Sequence, residues 1–251
     1  MSIVPVPILK DNYVWLGHDG ARAFVVDPGE VAPVDAALKA LQLTLTAILV
    51  THHHGDHIGG VAALASAWHC PVYGPGSVDG IDWPVGEGDA VVLDGPAAAF
   101  TVMAVPGHTL DHIAYYGAGT LFCGDTLFAC GCGRLFEGTP AQMQHALARL
   151  AALPADTRVY CTHEYTLANQ RFALAVEPGN AALVTRHAAD QAKRAQGQPT
   201  LPSSIGLERA TNPFLRWAEP DVARAAHAHG AAGGDPIAVF AALRRWKDGF
   251  A

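Results

Sequence analysis

The chain has 251 residues, half of them hydrophobic, enough to bury a sizeable core in one large domain or in one domain with an appendage. Its net charge of -7 excludes a nucleic-acid surface built on bulk positive charge and makes a polyanion a poor substrate. No stretch has the apolar length of a membrane span, the first residues do not read as a secretory leader, and five cysteines (Cys70, Cys123, Cys130, Cys132, Cys161) form no disulfide framework, so a cytoplasmic protein is expected.

Ile3–Pro7, Tyr13–Leu16 and Ala23–Val26 read as opening strands, the third closed by the turn Asp27-Pro28-Gly29. Val34, Ala37, Leu38 and Leu41 have helical spacing within residues 34–43, and the run Thr44–Val50 then reads as a strand entering the core. It leads into Thr51-His52-His53-His54-Gly55-Asp56-His57-Ile58-Gly59-Gly60. Imidazole and carboxylate at this density signal a metal, because neutral imidazole suits zinc, iron and similar ions while a carboxylate adds charge and oxygen ligation. The interleaved Asp56 and glycines set the stretch apart from a polyhistidine tag. In an extended loop residues i and i+2 share a side, so His52 and His54 can meet one ion while His53 points away. Asp56 and His57 follow at a turn, where they can face a second ion. Val61–Trp68 is rich in alanine and predicts a helix.

Pro71–Gly74, Ala90–Leu93 and Phe100–Val105 read as further strands, the last running into Pro106-Gly107-His108-Thr109. His108 thus leaves a strand just as the histidine cluster does. Ile113–Tyr116 and Thr120–Cys123 read as a hairpin about Gly117-Ala118-Gly119 that ends at Gly124-Asp125-Thr126. Asp125 is a turn residue, a helix cap, or a carboxylate whose two oxygens bridge two ions. Asp111 and His112 rank below it, as hydrogen-bonding partners of ligands or solvated groups. Cys130-Gly131-Cys132 is too close-set for a zinc ribbon, and the thiols read mainly as small buried or loop residues.

Thr139-Pro140-Ala141-Gln142 is a capping signature for a helix with Met143, Leu147 and Leu150 on its apolar face. Arg158–Cys161 is a last strand, followed by His163. From Leu167 the pattern turns helical, over 167–176, 181–196, 221–229 and 236–246, with an extended Pro-rich piece at 198–204. A boundary near Tyr165 divides residues 1–165 from 166–251. The basic tail Leu243-Arg244-Arg245-Trp246-Lys247 reads as a solvated helix end.

His52-x-His54-x-Asp56-His57, with His108, Asp125 and His163 at later strand ends, resembles the metallo-β-lactamase superfamily over residues 1–165. Asp11-Asn12-Tyr13, residues 131–138, His163-Glu164-Tyr165-Thr166, Asn212-Pro213-Phe214 and residues 244–248 resemble its glyoxalase II, or hydroxyacylglutathione hydrolase, branch and extend the likeness over nearly the whole chain. The resemblance implies an α/β fold, the metallo-β-lactamase-type αβ/βα sandwich with metals at one edge, followed by a C-terminal helical domain that binds substrate. It implies two divalent ions, zinc first, with iron or manganese also suited to such ligands. His52, His54 and His108 would hold one, Asp56, His57 and His163 the other, and Asp125 would bridge them, with Asp56 and Asp125 as the catalytic carboxylates.

By the same likeness Arg134, Phe136, Tyr165, Arg244 and Lys247 would bind glutathione. Some relatives carry lysine where Arg134 stands and tyrosine where Phe136 stands, which alters donor geometry at the first and removes a hydroxyl at the second. The implied reaction is hydrolysis of S-(hydroxyacyl)glutathione thioesters such as S-lactoylglutathione, by a hydroxide held between the ions, in methylglyoxal detoxification. A monomer without nucleic-acid or membrane partners is expected. The alternative is a single-iron persulfide dioxygenase acting on glutathione persulfide, against which the full ligand set and the helical tail weigh. A nuclease and a catalytically silent metal-binding module are the lesser rivals.

Overall fold

The structure, a computed structural model, describes residues 1–250. It divides into two compact units, one formed by Met1–Val105 with Asp111–Gly124 and the other by Pro106–Leu110 with the chain from Asp125 onward.

In the first unit β1 (Ser2–Ile8), β2 (Asn12–His18), β3 (Arg22–Val26), β4 (Thr44–Leu49), β5 (Val72–Gly74) and β6 (Trp83–Pro84) form a six-stranded sheet in sequence order. β1 to β3 are antiparallel. β3 to β6 are parallel, because α1 (Val31–Ala40), the single turn α2 (Gly55–Ile58) and α3 (Val61–Trp68) return the chain to the same edge between strands. α1 begins three residues before the expected 34–43 and ends earlier, since Pro33 falls in its first turn, where a missing N–H costs nothing.

Strand alternation sorts the side chains. Val14, Leu16, Ala23, Val25 and Ile48 join Val34, Leu38 and Leu64 of the helices in one buried cluster. Phe24 points the other way and meets Phe100 and Phe122 edge to face, with centroids 5.7 and 5.9 Å apart. These rings belong to a second sheet in which β7 (Ala90–Asp94), β8 (Ala97–Ala104), β9 (Ile113–Gly117) and β10 (Thr120–Gly124) pair antiparallel. Between the layers the buried Tyr115 hydroxyl donates to Val50 O at 2.8 Å, and burial pushes its pKa well above the ordinary tyrosine range. The expected hairpin forms, its turn at Ala118 and Gly119 having φ of 51° and 71°, as a primed two-residue turn requires.

The second unit contains β11 (Leu127–Phe128), β12 (Gly131–Cys132), α4 (Pro140–Ala151), β13 (Arg158–Cys161), α5 (Thr166–Val176), α6 (Ala181–Ala195), β14 (Ser203–Ser204), α7 (Ile205–Thr211), a 3-10 turn at Pro213–Leu215, α8 (Pro220–Ala228) and α9 (Pro236–Asp248). α4 opens on the expected capping box of Thr139 and Gln142, with Pro140 following. α7 has no counterpart among the expected helices, because a seven-residue segment beside a Pro-rich stretch is too short to establish a period. Residues 125–165, grouped by sequence with the first domain, lie in the same compact unit as the helices. Among the described residues no helix is long and apolar enough to cross a membrane.

All five cysteines are buried and none is in a disulfide. Burial raises the thiols of Cys70 and Cys132 to about 11 and that of Cys130 to about 12. A thiol-specific chromogenic reagent at pH 8 is therefore expected to label none of them rapidly in the native protein and all five after denaturation. A fast-reacting thiol in the folded protein would contradict this burial.

Candidate metal centre

In the first unit the ligand loop leaves β4 beside the end of β3, where Asp27 organises it. Thr51 gives Asp27 both its N–H and its hydroxyl at 2.8 Å, and His57 Nδ1 lies 3.0 Å from the same carboxylate. The Thr51 hydroxyl, having donated to Asp27, accepts from His52 Nδ1 at 3.0 Å. His52 Nε2 faces His54 Nδ1 at 3.1 Å, and His57 Nε2 faces an Asp56 oxygen at 3.6 Å. Asn12 Nδ2 steadies that oxygen at 2.9 Å. Asp56 and His57 come from the helical turn α2, where an open turn was expected. His53 points elsewhere, as the alternation predicts, with its Nδ1 2.9 Å from Asp111. His112 stacks on His52 at 4.5 Å and is a packing partner of the ligand.

The second unit brings His108, Asp125 and His163 together. Asp125 Oδ2 lies 3.4 Å from His108 Nε2 and 3.2 Å from His163 Nε2, and all three residues are buried. His108 Nδ1 is 2.8 Å from Arg134 O. A carbonyl only accepts, so His108 donates from Nδ1 and turns Nε2 toward the carboxylate. In both units, then, imidazole nitrogens and carboxylate oxygens gather at near-contact distance. That donor set fits a divalent cation.

The residues expected to bind substrate also belong to the second unit. Tyr165 stacks on His163 at 4.6 Å, 3° from parallel, and Phe128 meets both rings edge-on. Phe136 is 62% exposed, with its ring 5.2 Å from His108. Arg134 Nε lies 3.3 Å from Asp248. Arg244, expected at a solvated helix end, is instead buried. It donates Nη1 to Cys132 O at 2.9 Å and Nη2 to Asp248 at 2.9 Å, and lies over Phe214. Lys247 has its pKa lowered by burial, then by the nearby charges of Arg244 and Arg171.

Sequence reasoning missed Asp27 and Asn12 as organisers. Asp27 follows an apolar strand just as Asp125 does, but it sits in an Asp-Pro-Gly run that reads as a turn. Asn12 lies within a quoted motif, without an assigned role.

The fold and the two ligand sets define a metal-dependent hydrolase of the metallo-β-lactamase class. Residues 9–163 match the model of the metallo-β-lactamase superfamily, and residues 164–250 match that of the hydroxyacylglutathione hydrolase C-terminus. The hydroxyacylglutathione hydrolase of Cupriavidus taiwanensis is 54% identical over 100% of this chain and 99% of its own. The crystal structure of ETHE1 from Myxococcus xanthus superposes with a TM-score of 0.68 at 26% identity, covering 98% of each chain. That of TTHA1623 in a di-iron-bound form gives 0.60 at 28% identity over 84% of this chain and 100% of its own. The chain belongs to the hydroxyacylglutathione hydrolase family.

Proposed function

We propose that the seven residues His52, His54, Asp56, His57, His108, Asp125 and His163 hold two divalent cations, zinc first, and that the protein hydrolyses S-(hydroxyacyl)glutathione thioesters such as S-lactoylglutathione. This places it in cytoplasmic methylglyoxal removal. The observation that carries the reading is the clustering of imidazole and carboxylate atoms: His52 Nε2 lies 3.1 Å from His54 Nδ1, and Asp125 Oδ2 lies between His108 Nε2 and His163 Nε2 at 3.4 and 3.2 Å. A relative solved with two irons supports the count of ions.

When bound, such a pair would supply an acidified water, its pKa lowered toward roughly 7, and charge stabilisation at the thioester carbonyl. The chain's own residues do the rest. Asp27 and Thr51 hold the imidazoles in one orientation. Arg134, Arg244 and Lys247 receive the carboxylates of the tripeptide, Tyr165 bonds to it beside His163, and Phe136 covers it with an apolar ring. Through Arg244 and Lys247, residues 166–251 serve as the substrate-binding domain, with Arg134, Phe136 and Tyr165 contributed from before it.

Treatment with a strong chelator is expected to abolish thioester hydrolysis, and zinc to restore it; turnover indifferent to chelation would overturn the reading. Oxygen uptake on glutathione persulfide would instead favour the dioxygenase. Because Lys247 holds its proton less tightly than an ordinary lysine, its charge is lost at lower pH, so KM for the anionic substrate should rise on the alkaline side below the usual lysine range. Lys247→Arg, charged throughout, should remove that rise in a KM profile from pH 7 upward.

A further inference from the structure

We propose that Asn212 is a positioning residue: it holds the hairpin β11–β12 in the one register that keeps Arg134 at a fixed offset from Asp125. The inference rests on the reading of Asp125 as a metal ligand and Arg134 as a glutathione contact, and it gives the Asn212-Pro213-Phe214 motif a task.

The hairpin runs from just after Asp125 to just before Arg134. Its own ladder is two residue pairs, Leu127 with Cys132 and Phe128 with Gly131, too few to fix its shape in isolation. Side chains of the helical region supply what the ladder lacks. The fully buried Asn212 places Nδ2 3.2 Å from Phe128 O and 2.9 Å from Gly131 O, so one amide spans both strands. Its Oδ1 accepts from Phe214 N at 3.0 Å, which locks the amide against flipping, since only the NH2 end can then meet the carbonyls.

At the turn, Cys130 has a φ of 55° and donates its N–H to the buried Glu208 at 2.8 Å. Asn169 Nδ2 donates to Ala129 O at 3.1 Å, and Arg244 takes Cys132 O. Beyond the hairpin, Gly133 N donates to Thr126 O at 3.2 Å, and its α-carbon packs so closely that a Cβ there would lie 1.9 Å from Asp125 O. A displacement of the hairpin is therefore passed to the backbone on either side of it. One side carries Asp125; the other carries Arg134, whose carbonyl also sets the His108 tautomer.

A substrate that reaches both the reacting centre and Arg134 depends on the offset between them, whereas one lacking the tripeptide depends on the reacting centre alone. Asn212→Ala is expected to lower kcat/KM for S-lactoylglutathione on the order of 100-fold, as a misplacement of about 1 Å can. The lactoyl thioester of N-acetylcysteamine, which meets the reacting centre but not Arg134, should lose a markedly smaller factor. Calorimetry should show product glutathione binding more weakly to the variant. Asn169→Ala, which removes one bond at the turn, should shift the substrate ratio in the same direction by less, and carries the test if Asn212→Ala does not fold.

A merely structural role would scale both substrates by one factor, through the folded fraction. Equal factors, or no change in either, overturn the inference. Wild-type protein that fails on the glutathione thioester would overturn the functional reading and this inference with it. Wild-type turnover with an unshifted ratio in the variants overturns this inference alone.

Discussion

Asp125→Asn is expected to lower kcat/KM for S-lactoylglutathione by on the order of 1000-fold, the equivalent of about 4 kcal/mol of lost charge stabilisation at the reacting centre. Asp125 is 6% exposed and lies between His108 Nε2 and His163 Nε2. An amide has the same shape but no charge, and its NH2 can donate to an imidazole nitrogen, so the fold should tolerate it. The expected pattern is thus an unchanged circular dichroism spectrum, depleted metal by elemental analysis and nearly absent turnover. Wild-type activity with full metal content would remove this carboxylate from the centre.

The largest stability effect is expected at Arg186. Its Nη2 lies 2.8 Å from the fully buried Glu208, its Nη1 donates to Thr211 at 2.6 Å, and its Nε is 3.4 Å from Asp190. Burial works against the guanidinium charge, but the Glu208 carboxylate outweighs it and the pKa rises above the ordinary arginine value. Arg186→Met would leave Glu208 buried without its cation, at a cost of roughly 3–5 kcal/mol. At about 2–4 °C per kcal/mol for a chain of this size, the melting temperature should fall by roughly 10 °C. A melting temperature within a degree of wild type at pH 8 would refute the account.

How far the sequence disclosed this protein depended on how local each signal was. The histidine loop was legible as a candidate because its imidazoles and carboxylate lie within six positions and no packing demand produces that density of imidazole. The capping box of α4 and the hairpin of β9 and β10 were equally local. Asp27 was not, because Asp-Pro-Gly is chemically sufficient as a turn, and only the parallel pairing of β3 with β4 brings it to Thr51 and His57. Arg244 reads as a solvated basic residue near a helix end, which ordinarily needs no partner beyond the helix carbonyls. Its acceptor, Cys132 O, is 112 residues away in sequence. α7 and the buried Arg186–Glu208 pair have the same origin: a short segment with charged residues is indistinguishable from a polar loop until tertiary packing encloses it.

The enclosure of the five sulfurs has a consequence for the enzyme's working life. On the proposed reaction each turnover sets free a thiol tripeptide, whose oxidised dimer accumulates under oxidative load. Exchange with that dimer requires a protein thiolate that the dimer can reach, and burial, which also raises the pKa of Cys70, Cys130 and Cys132, denies it one. The catalyst is thereby insulated from its own released product: a poorer cellular redox balance would not cap it with glutathione, and its throughput would follow substrate and metal supply instead.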